Sequence, residues 1–568
     1  MMSYRSQWFS LAAAISSILT FVMLGESPAM AANIELYDVF ETVVTNDKSY
    51  TNPFDYCEIE LQAVFTSPSG KQVKFFGFHD GDGKGGQSGN VWKLRFMPQE
   101  TGAWKYTYTW TDKTPGGEGA FHVVDNKKYP GPLKVAADTP WYFSTARGEP
   151  FHARGYMFGY GHEKPDKPGL KFNSDADQAE HFKTVDECIV KRGYNLVMII
   201  GRGLKSMPAT TTQPRQLVNE GQTWWCWDGR KYDFTRYQVA TWTHWDRYID
   251  AYRQRGVYVF PFALIHEWDI GDTIWQMGEM RRFTRYMMAR CAAYSNLFGY
   301  NITWEMPIFF GDERSASYYS VLRENNPFGT LLGRHDNNHD GFKNVLDFTM
   351  RQRQARDVFR GNDRTATWHY KVDGVFVNRP IIGSEDIWEI ASGEWSQPRN
   401  GDEVRRGAWG LQLAGVMPIY EEWHGPKHAP AKGLGKGDGE VLVRRMFDFF
   451  YDKPKIDYRN PKFQQLNALV SAKDRQICSG VPGQEYVVYD EDGGDITIDL
   501  SAAGDAAFTV TWFDPVDGTL KQGETVKGGA NRTLASPFKG DSVLLLRKQA
   551  GPSSQPVAAH PGDSPAGG

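Results

Sequence analysis

Leu196-Val-Met-Ile-Ile-Gly201, a helical stretch over 235–255 and then Val257-Tyr-Val-Phe-Pro-Phe-Ala-Leu-Ile265 set the fold class of this chain. Each apolar run is short, and a continuous short run of this kind reads as a strand buried on both faces. A helix between two such strands makes a β-α-β unit, in which the strands lie parallel. The order repeats outward. Strand-like runs occur at 151–158, 297–304, 365–370, 375–378, 380–384 and 416–420, with further helical stretches over 175–191, 273–294, 342–359 and 402–413. Eight runs in about 320 residues suit a (β/α)8 TIM barrel over 146–472, irregular between its fifth and seventh strands, where the intervals are too short for two full helices.

On both sides of the barrel the period falls to two. Trp104-Lys-Tyr106-Thr-Tyr108-Thr-Trp110 alternates apolar with polar residues, and short runs at 58–65, 73–78 and 91–97 surround it. An N-terminal β-sandwich over 33–128 is the expected result. Its glycine-rich loop, 80–90, contains Asp80-Gly-Asp82-Gly, but Lys84 stands where a third cation ligand would be needed, so the loop reads as a flexible hairpin. Runs at 485–489, 495–500, 507–513 and 542–546 predict a small C-terminal β-domain over 473–548. The Pro/Gly/Ser/Ala tail, 549–568, has nothing to bury and is expected to be disordered.

Residues 1–31 combine Arg5, an apolar stretch over 8–24 and Ala29-Met-Ala31, the pattern of a secretory signal with a small-x-small cleavage site. The stretch is interrupted by Ser10, Ser16, Ser17 and Thr20 and falls short of the ~20 residues a membrane span needs. A secreted or periplasmic protein with no span after signal removal is expected. The 64 basic and 68 acidic residues leave a net charge of −4, which provides no basic field to neutralise phosphates, so nucleic acid is not an expected partner. Five cysteines with no CxxC pair form neither a zinc cluster nor a disulfide scaffold. Aromatic residues make up 14% of the chain, which implies large cores or a surface for the flat apolar faces of sugar rings.

In a parallel barrel, reactive groups follow the C-terminal ends of strands. Two carboxylates do so here: Leu297-Phe-Gly-Tyr-Asn-Ile-Thr-Trp304 ends at Glu305, and Pro380-Ile-Ile-Gly-Ser384 ends at Glu385-Asp386. Glycoside hydrolysis needs such a pair, one acid to protonate the leaving oxygen and one carboxylate to attack the anomeric carbon or activate water. Asp312 and Glu313 compete for the strand-four role. G-x-S-x-G, H-E-x-x-H and G-x-x-x-x-G-K do not occur, which weakens esterase, metalloprotease and nucleotide-hydrolase readings. Aromatic residues gather at the same strand ends: Trp224, Trp225 and Trp227 after the second run, Trp268 after the third, Trp368 and His369 at the fifth, Trp388 after the seventh, Trp423 and His424 after the eighth. They form either a packed rim or a sugar-stacking cleft.

The chain resembles the secreted bacterial glycoside hydrolases of the apiosidase-like group, in which a DUF5060-type sandwich precedes a DUF4038-type barrel and a small β-domain follows. Val91-Trp-Lys-Leu-Arg-Phe-Met-Pro98 and Gly102-Ala-Trp-Lys-Tyr106 carry the resemblance in the sandwich. In the barrel it rests on Tyr232-Asp-Phe-Thr-Arg236 with Trp242, His244 and Arg255-Gly-Val257, and on Pro380-Ile-Ile-Gly-Ser-Glu385-Asp-Ile-Trp-Glu389 with Val404-Arg-Arg-Gly-Ala-Trp409. Trp512-Phe-Asp-Pro515 carries it at the C-terminus. The resemblance implies Glu385 as nucleophile and Glu305 as acid/base, since Gly299-Tyr-Asn-Ile-Thr-Trp-Glu305 is similar to the fourth-strand segment of retaining barrel glycosidases, with Trp304 in place of the usual Asn.

A separate motif, Asp336-Asn-Asn338-His-Asp340-Gly-Phe342 followed by Asp347, fits the spacing of a calcium loop. It reads equally as an Asn/Asp-rich turn capping the helix expected after it. The expected function is retaining hydrolysis of a poly- or oligosaccharide, with no cofactor required and at most a structural Ca2+. A non-catalytic carbohydrate-binding protein on the same scaffold is the alternative, and a polysaccharide lyase a lesser one.

Overall fold

The computed structural model of the protein describes residues 33–158, 175–200, 224–227, 232–263, 279–301, 311–335, 345–351, 371–372, 375–376, 379–390, 400–423, 437–472 and 474–549. At its centre, eight parallel strands form a closed ring in chain order: Gly155–Phe158, Leu196–Ile200, Tyr258–Ala263, Gly299–Tyr300, Leu331–Arg334, Phe348–Arg351, Ile381–Ile390 and Met417–Trp423. Strand eight returns to strand one with Ile419 beside Gly155. Between strands three and four the ring closes at Val259, whose N–H donates to Asn296 O and whose carbonyl accepts from Phe298 N, both at 2.8 Å. Large apolar side chains fill the interior, among them Met198, Phe260, Phe298, Phe348 and Met350, as expected of a packed barrel. Gly333 is required by that filling, because a Cβ there would stand 2.2 Å from the Phe348 ring.

Barrel and strand number are as the sequence predicts, but two strands are different segments. Strands five and six are Leu331–Arg334 and Phe348–Arg351. The expected 375–378 strand is instead part of a two-residue antiparallel pairing of Val375–Phe376 with Lys371–Val372, and 365–370 lies outside the described residues. The helix expected over 342–359 is replaced, in its described part, by strand six. The missed strands are four residues each and carry Gly333, Arg334 and Arg351, so no apolar run announces them. Helix Val239–Gln254 begins later than expected, because Tyr232–Tyr237 pairs antiparallel with Trp225–Trp227.

The sandwich has a five-stranded sheet, ordered Asn33–Glu35, Gly117–Val124, Gly102–Trp110, Leu61–Thr66 and Gln72–Phe76, over a three-stranded one, Phe40–Thr45, Val91–Phe96 and Phe78–His79. Rings interlock between the sheets: Phe40 stacks on Phe121 and Phe65 on Phe96, each at 4.0 Å. The alternation in 104–110 is realised, with Trp104 and Trp110 buried and Lys105, Thr107 and Thr109 exposed. This domain is tied to the barrel by buried charge. Arg290, on barrel helix Met280–Cys291, reaches Asp80 of the sandwich at 2.6 Å and Asp246 of helix Val239–Gln254 at 2.5 Å. Arg95 of the sandwich reaches the same Asp246 at 2.9 Å and Glu41 at 2.6 Å, while Lys93 lies 2.9 Å from Asp80. Burial alone would push the Asp80 carboxyl up, yet Arg290 and Lys93 hold it below the ordinary carboxylate range.

The C-terminal unit is a six-stranded sheet, ordered Gln464–Gln465, Gln476–Val481, Glu485–Asp490, Ser542–Lys548, Ala507–Phe513 and Leu520–Lys527, with the pair Ile496–Asp499 and Asn531–Leu534. Tyr486, Val488, Trp512 and Leu544 build its own core, whereas Val487, Tyr489, Phe513 and Leu545 join the core shared with the barrel. Trp409 of helix Gly401–Leu413 stacks on Tyr489 at 5.5 Å, and Arg405 holds Asp541 through two hydrogen bonds of 2.7 and 3.1 Å.

His152, between the helix Asp438–Tyr451 and the C-terminal segment, shares a 2.5 Å hydrogen bond between its Nδ1 and the Tyr458 hydroxyl. Its pKa is pushed down to about 4, by burial first and then by Arg459, Lys455 and Arg154, against a weaker opposing effect of Asp452. The unfolded chain takes up a proton near pH 6.5 that the folded chain refuses until about 4, so this stabilising contribution is whole above pH 6.5 and is lost as pH falls to about 4. Melting temperatures between pH 7 and 4 are expected to fall less steeply for His152→Gln than for the native chain. Parallel slopes would remove His152 from the acid response.

Candidate active site

Strand seven is irregular where its acids lie. Gly383 pairs with Pro418 and Ile387 with Tyr420, so four steps on strand seven match two on strand eight, and Ser384, Glu385 and Asp386 sit in the resulting bulge. A bulge re-aims side chains, and these three diverge. Asp386 folds back over Gly383, where a Cβ would stand 2.5 Å from its Oδ2, and lies 3.2 Å from Arg351 Nε of strand six. The Ser384 hydroxyl donates to Arg351 O at 2.9 Å. Glu385 turns to strand five, its Oε2 3.0 Å from Nε2 of the fully buried His335. The backbone N–H of His335 donates to Asn301 Oδ1 at 3.2 Å, and Asn301 directly follows strand four. Strands four to seven therefore contribute adjoining polar groups at one end of the barrel, the end where chemistry is expected.

Exposure separates the acids. Asp386 and Glu421 are wholly buried, while the Glu385 side chain keeps 13% of its surface open. Of these three, Glu385 is the carboxylate that can meet a ligand. Glu389, at the far end of strand seven, is structural: it accepts hydrogen bonds from Tyr420 Oη at 2.8 Å, Asp438 N at 3.2 Å and Gly439 N at 3.0 Å, anchoring the first turn of helix Asp438–Tyr451.

Glu305, Trp268, Trp368, His369 and His424 lie outside the described residues, as do Asp336, Asn338, Asp340 and Phe342. Asp312 and Glu313 fall in the first turn of helix Gly311–Glu324, after strand four, with side chains outside the description; the same holds for the side chains of Trp227 and Trp423, which lie on strands. Trp388 is half-buried on strand seven. The structure corrects the reading of Trp224 and Trp225 as sugar-binding. Both are buried, Trp224 against Trp242 at 4.5 Å and Trp225 stacked on Phe283 at 5.1 Å, which leaves no open ring face. Asp347 accepts from Arg323 Nη2 and from Leu332 N, each at 2.8 Å, so both its oxygens have protein partners, and strand six rather than a helix follows it. Among the described residues, no three His, Cys, Asp or Glu side chains gather as a metal site. Sequence reasoning missed His335 and Asn301; the signal was Leu331-Leu-Gly-Arg-His335, a short run ending in charge.

Residues 33–111 match the domain of unknown function DUF5060, and residues 466–547 match the family described as "Putative collagen-binding domain of a collagenase". No curated protein matches the chain. Among solved structures, it is similar to "a putative glycoside hydrolase from Bacteroides vulgatus ATCC 8482", at 16% identity over 91% of this chain and 100% of that one, with a TM-score of 0.68. The chain shares the fold of that structure along most of its length. A glycoside hydrolase family 5 structure from the same organism shares 16% identity, covering 74% of this chain and 93% of its own, at a TM-score of 0.56. A third, named glycoside hydrolase, gives 15%, 74%, 97% and 0.55. The first spans all three parts of the chain, sandwich, barrel and C-terminal sheet. No helix among the described residues is long and apolar enough to cross a membrane.

Proposed function

We propose that the protein is an exported retaining glycoside hydrolase acting on a poly- or oligosaccharide, with Glu385 as nucleophile and Glu305 as acid/base. One observation carries this reading: a partly open carboxylate in a bulge of strand seven, at the end of a (β/α)8 barrel where catalytic groups reside, with one oxygen 3.0 Å from a buried histidine. Glu385 attacks the anomeric carbon and forms a glycosyl ester as the bond to the leaving oxygen breaks, and Glu305 gives that oxygen its proton. Water then cleaves the ester, returning a proton to Glu305 and freeing the Glu385 carboxylate. Oε2 of Glu385 faces His335, and Oε1 is the oxygen assigned to attack. No cofactor enters these steps, and the leader over 1–31 accounts for export.

The test is incubation of the purified protein with plant, algal and bacterial polysaccharides, with identification of the products and of the anomer first released. Release of the anomer that retains the substrate configuration is expected. The inverted anomer would replace nucleophilic attack with water activation, at a carboxyl separation of roughly 6.5 to 9.5 Å instead of about 5 to 5.5 Å. Saccharide binding without any product would select the non-catalytic alternative.

A further inference from the structure

Strands six and seven pair in register as far as Arg351 and Gly383, where their ladder stops. On the other side, strand eight sets Pro418 opposite Gly383, a residue with no N–H to give. Ser384, Glu385 and Asp386 leave the sheet between these two neighbours. A bulged segment released from its ladder depends on other contacts to fix it. Two such contacts end on one residue. The Ser384 hydroxyl donates to the Arg351 carbonyl at 2.9 Å, and Asp386 Oδ2 lies 3.2 Å from Arg351 Nε. Arg351 thus meets the residue before Glu385 with its backbone and the residue after it with its guanidinium.

Gly383 makes the second contact possible, since a Cβ there would stand 2.5 Å from Asp386 Oδ2 and 3.3 Å from Val416 Cγ1. Arg351, Ser384 and Asp386 are all buried, while the Glu385 side chain between them stays partly open. A buried ion pair is often no more stabilising than an apolar pair of the same volume, so stability alone does not account for Arg351 and Asp386 in this place. Placement of the reacting group does account for them: a displacement of about 1 Å can cost about 10^2-fold in rate, and Glu385 has no regular ladder to hold it.

We propose that Arg351 is the positioning residue of Glu385: by clasping Ser384 and Asp386 it fixes the bulge, and with it the line along which the Glu385 carboxylate meets the anomeric carbon. The inference rests on the reading of Glu385 as nucleophile. It gives strand six a part in the reaction that needs no contact with the sugar.

The experiment compares the full-length native protein with Ser384→Ala, Arg351→Lys, Asp386→Asn and the double change Arg351→Met with Asp386→Leu, by kinetics on a confirmed substrate, melting temperature and hydrogen exchange over 381–390. Ser384→Ala removes one arm of the clasp and should lower kcat about tenfold, with KM changed by less than about twofold. The double change replaces both ions by apolar side chains of similar volume, so it should melt near the native temperature while kcat falls about 10^2-fold and exchange over 381–390 quickens. Arg351→Lys keeps the charge without the planar fork and should retain more kcat than the double change. Asp386→Asn keeps an oxygen for Arg351, so its loss of kcat should be the smallest of the set, beside a lowered melting temperature. Native kcat in the double change, or losses of kcat that simply track melting temperature across the set, would overturn the positioning role. Unchanged exchange over 381–390 in both Ser384→Ala and the double change would do the same. If the native protein acts on no saccharide, the reading of Glu385 fails and the role of Arg351 with it, whereas an active native enzyme whose double change keeps native kcat retains that reading and loses the clasp.

Discussion

Glu385→Gln is expected to lower turnover on a confirmed substrate by about 10^4-fold or more while leaving substrate affinity and melting temperature near their native values. The amide is isosteric with the carboxylate, so it keeps the place beside His335 in the strand-seven bulge, at 3.0 Å in the native chain. An amide does not form the glycosyl ester, and the loss falls on the chemical step. Glu305→Ala should behave differently. It removes the proton donor, so natural glycosides with poor leaving groups should lose most of their rate, whereas aryl glycosides with good leaving groups need little protonation and should keep a measurable glycosylation step. Asp386→Asn is the contrasting variant, since Asp386 is wholly buried beside Arg351 and its neutralisation should register in stability before turnover. Near-native rates for Glu385→Gln would place the nucleophile on another residue.

Strands one to four, seven and eight were legible because each contains an apolar run bounded by charge or turn residues, and burial on both faces leaves that pattern. Strands five and six were not. Their buried residues include Arg334 and Arg351, placed where Arg351 can meet Asp386, and a four-residue strand bearing an inward cation has no hydrophobic period to read. Local rules fail here at the candidate site, as expected where residues serve chemistry as well as folding. The same cause hid His335, which follows strand five. Trp224 and Trp225 show the opposite error: aromatic residues following a strand in sequence suggested an open rim, but their rings close the seam between hairpin and helices, a fact set by tertiary packing. The glycines of 80–90 signalled freedom in the sequence and serve close approach in the structure.

Arg290→Met is expected to destabilise the whole chain by about 3–5 kcal/mol, because it removes the cation between two buried carboxylates and fills the space with a side chain of similar length. Asp80 would retain Lys93 and Asp246 would retain Arg95, each at 2.9 Å, but three acids would then face two bases, and two of those acids, Asp80 and Asp246, are buried. Glu41, the third acid, is already shared between Arg95 and Lys93. Against a total stability of about 5–15 kcal/mol, the loss should lower the melting temperature by about 4 °C, since the large unfolding entropy of a unit of this size makes each kcal/mol worth only about 1 °C. Arg290→Lys should recover only part of it, since a single ammonium lacks the planar fork that reaches Asp80 with one nitrogen and Asp246 with another. Combining Arg290→Met with Asp80→Asn should cost less than the sum of the single changes, as groups in one charge network are coupled. Because the network joins sandwich to barrel, native sandwich and barrel should melt together in calorimetry, and Arg290→Met should separate or broaden that transition. A melting temperature within about 2 °C of native, with one undivided transition, would mean that the aromatic packing around Phe54, Tyr237 and Tyr286 holds the seam and that the buried charges merely balance one another.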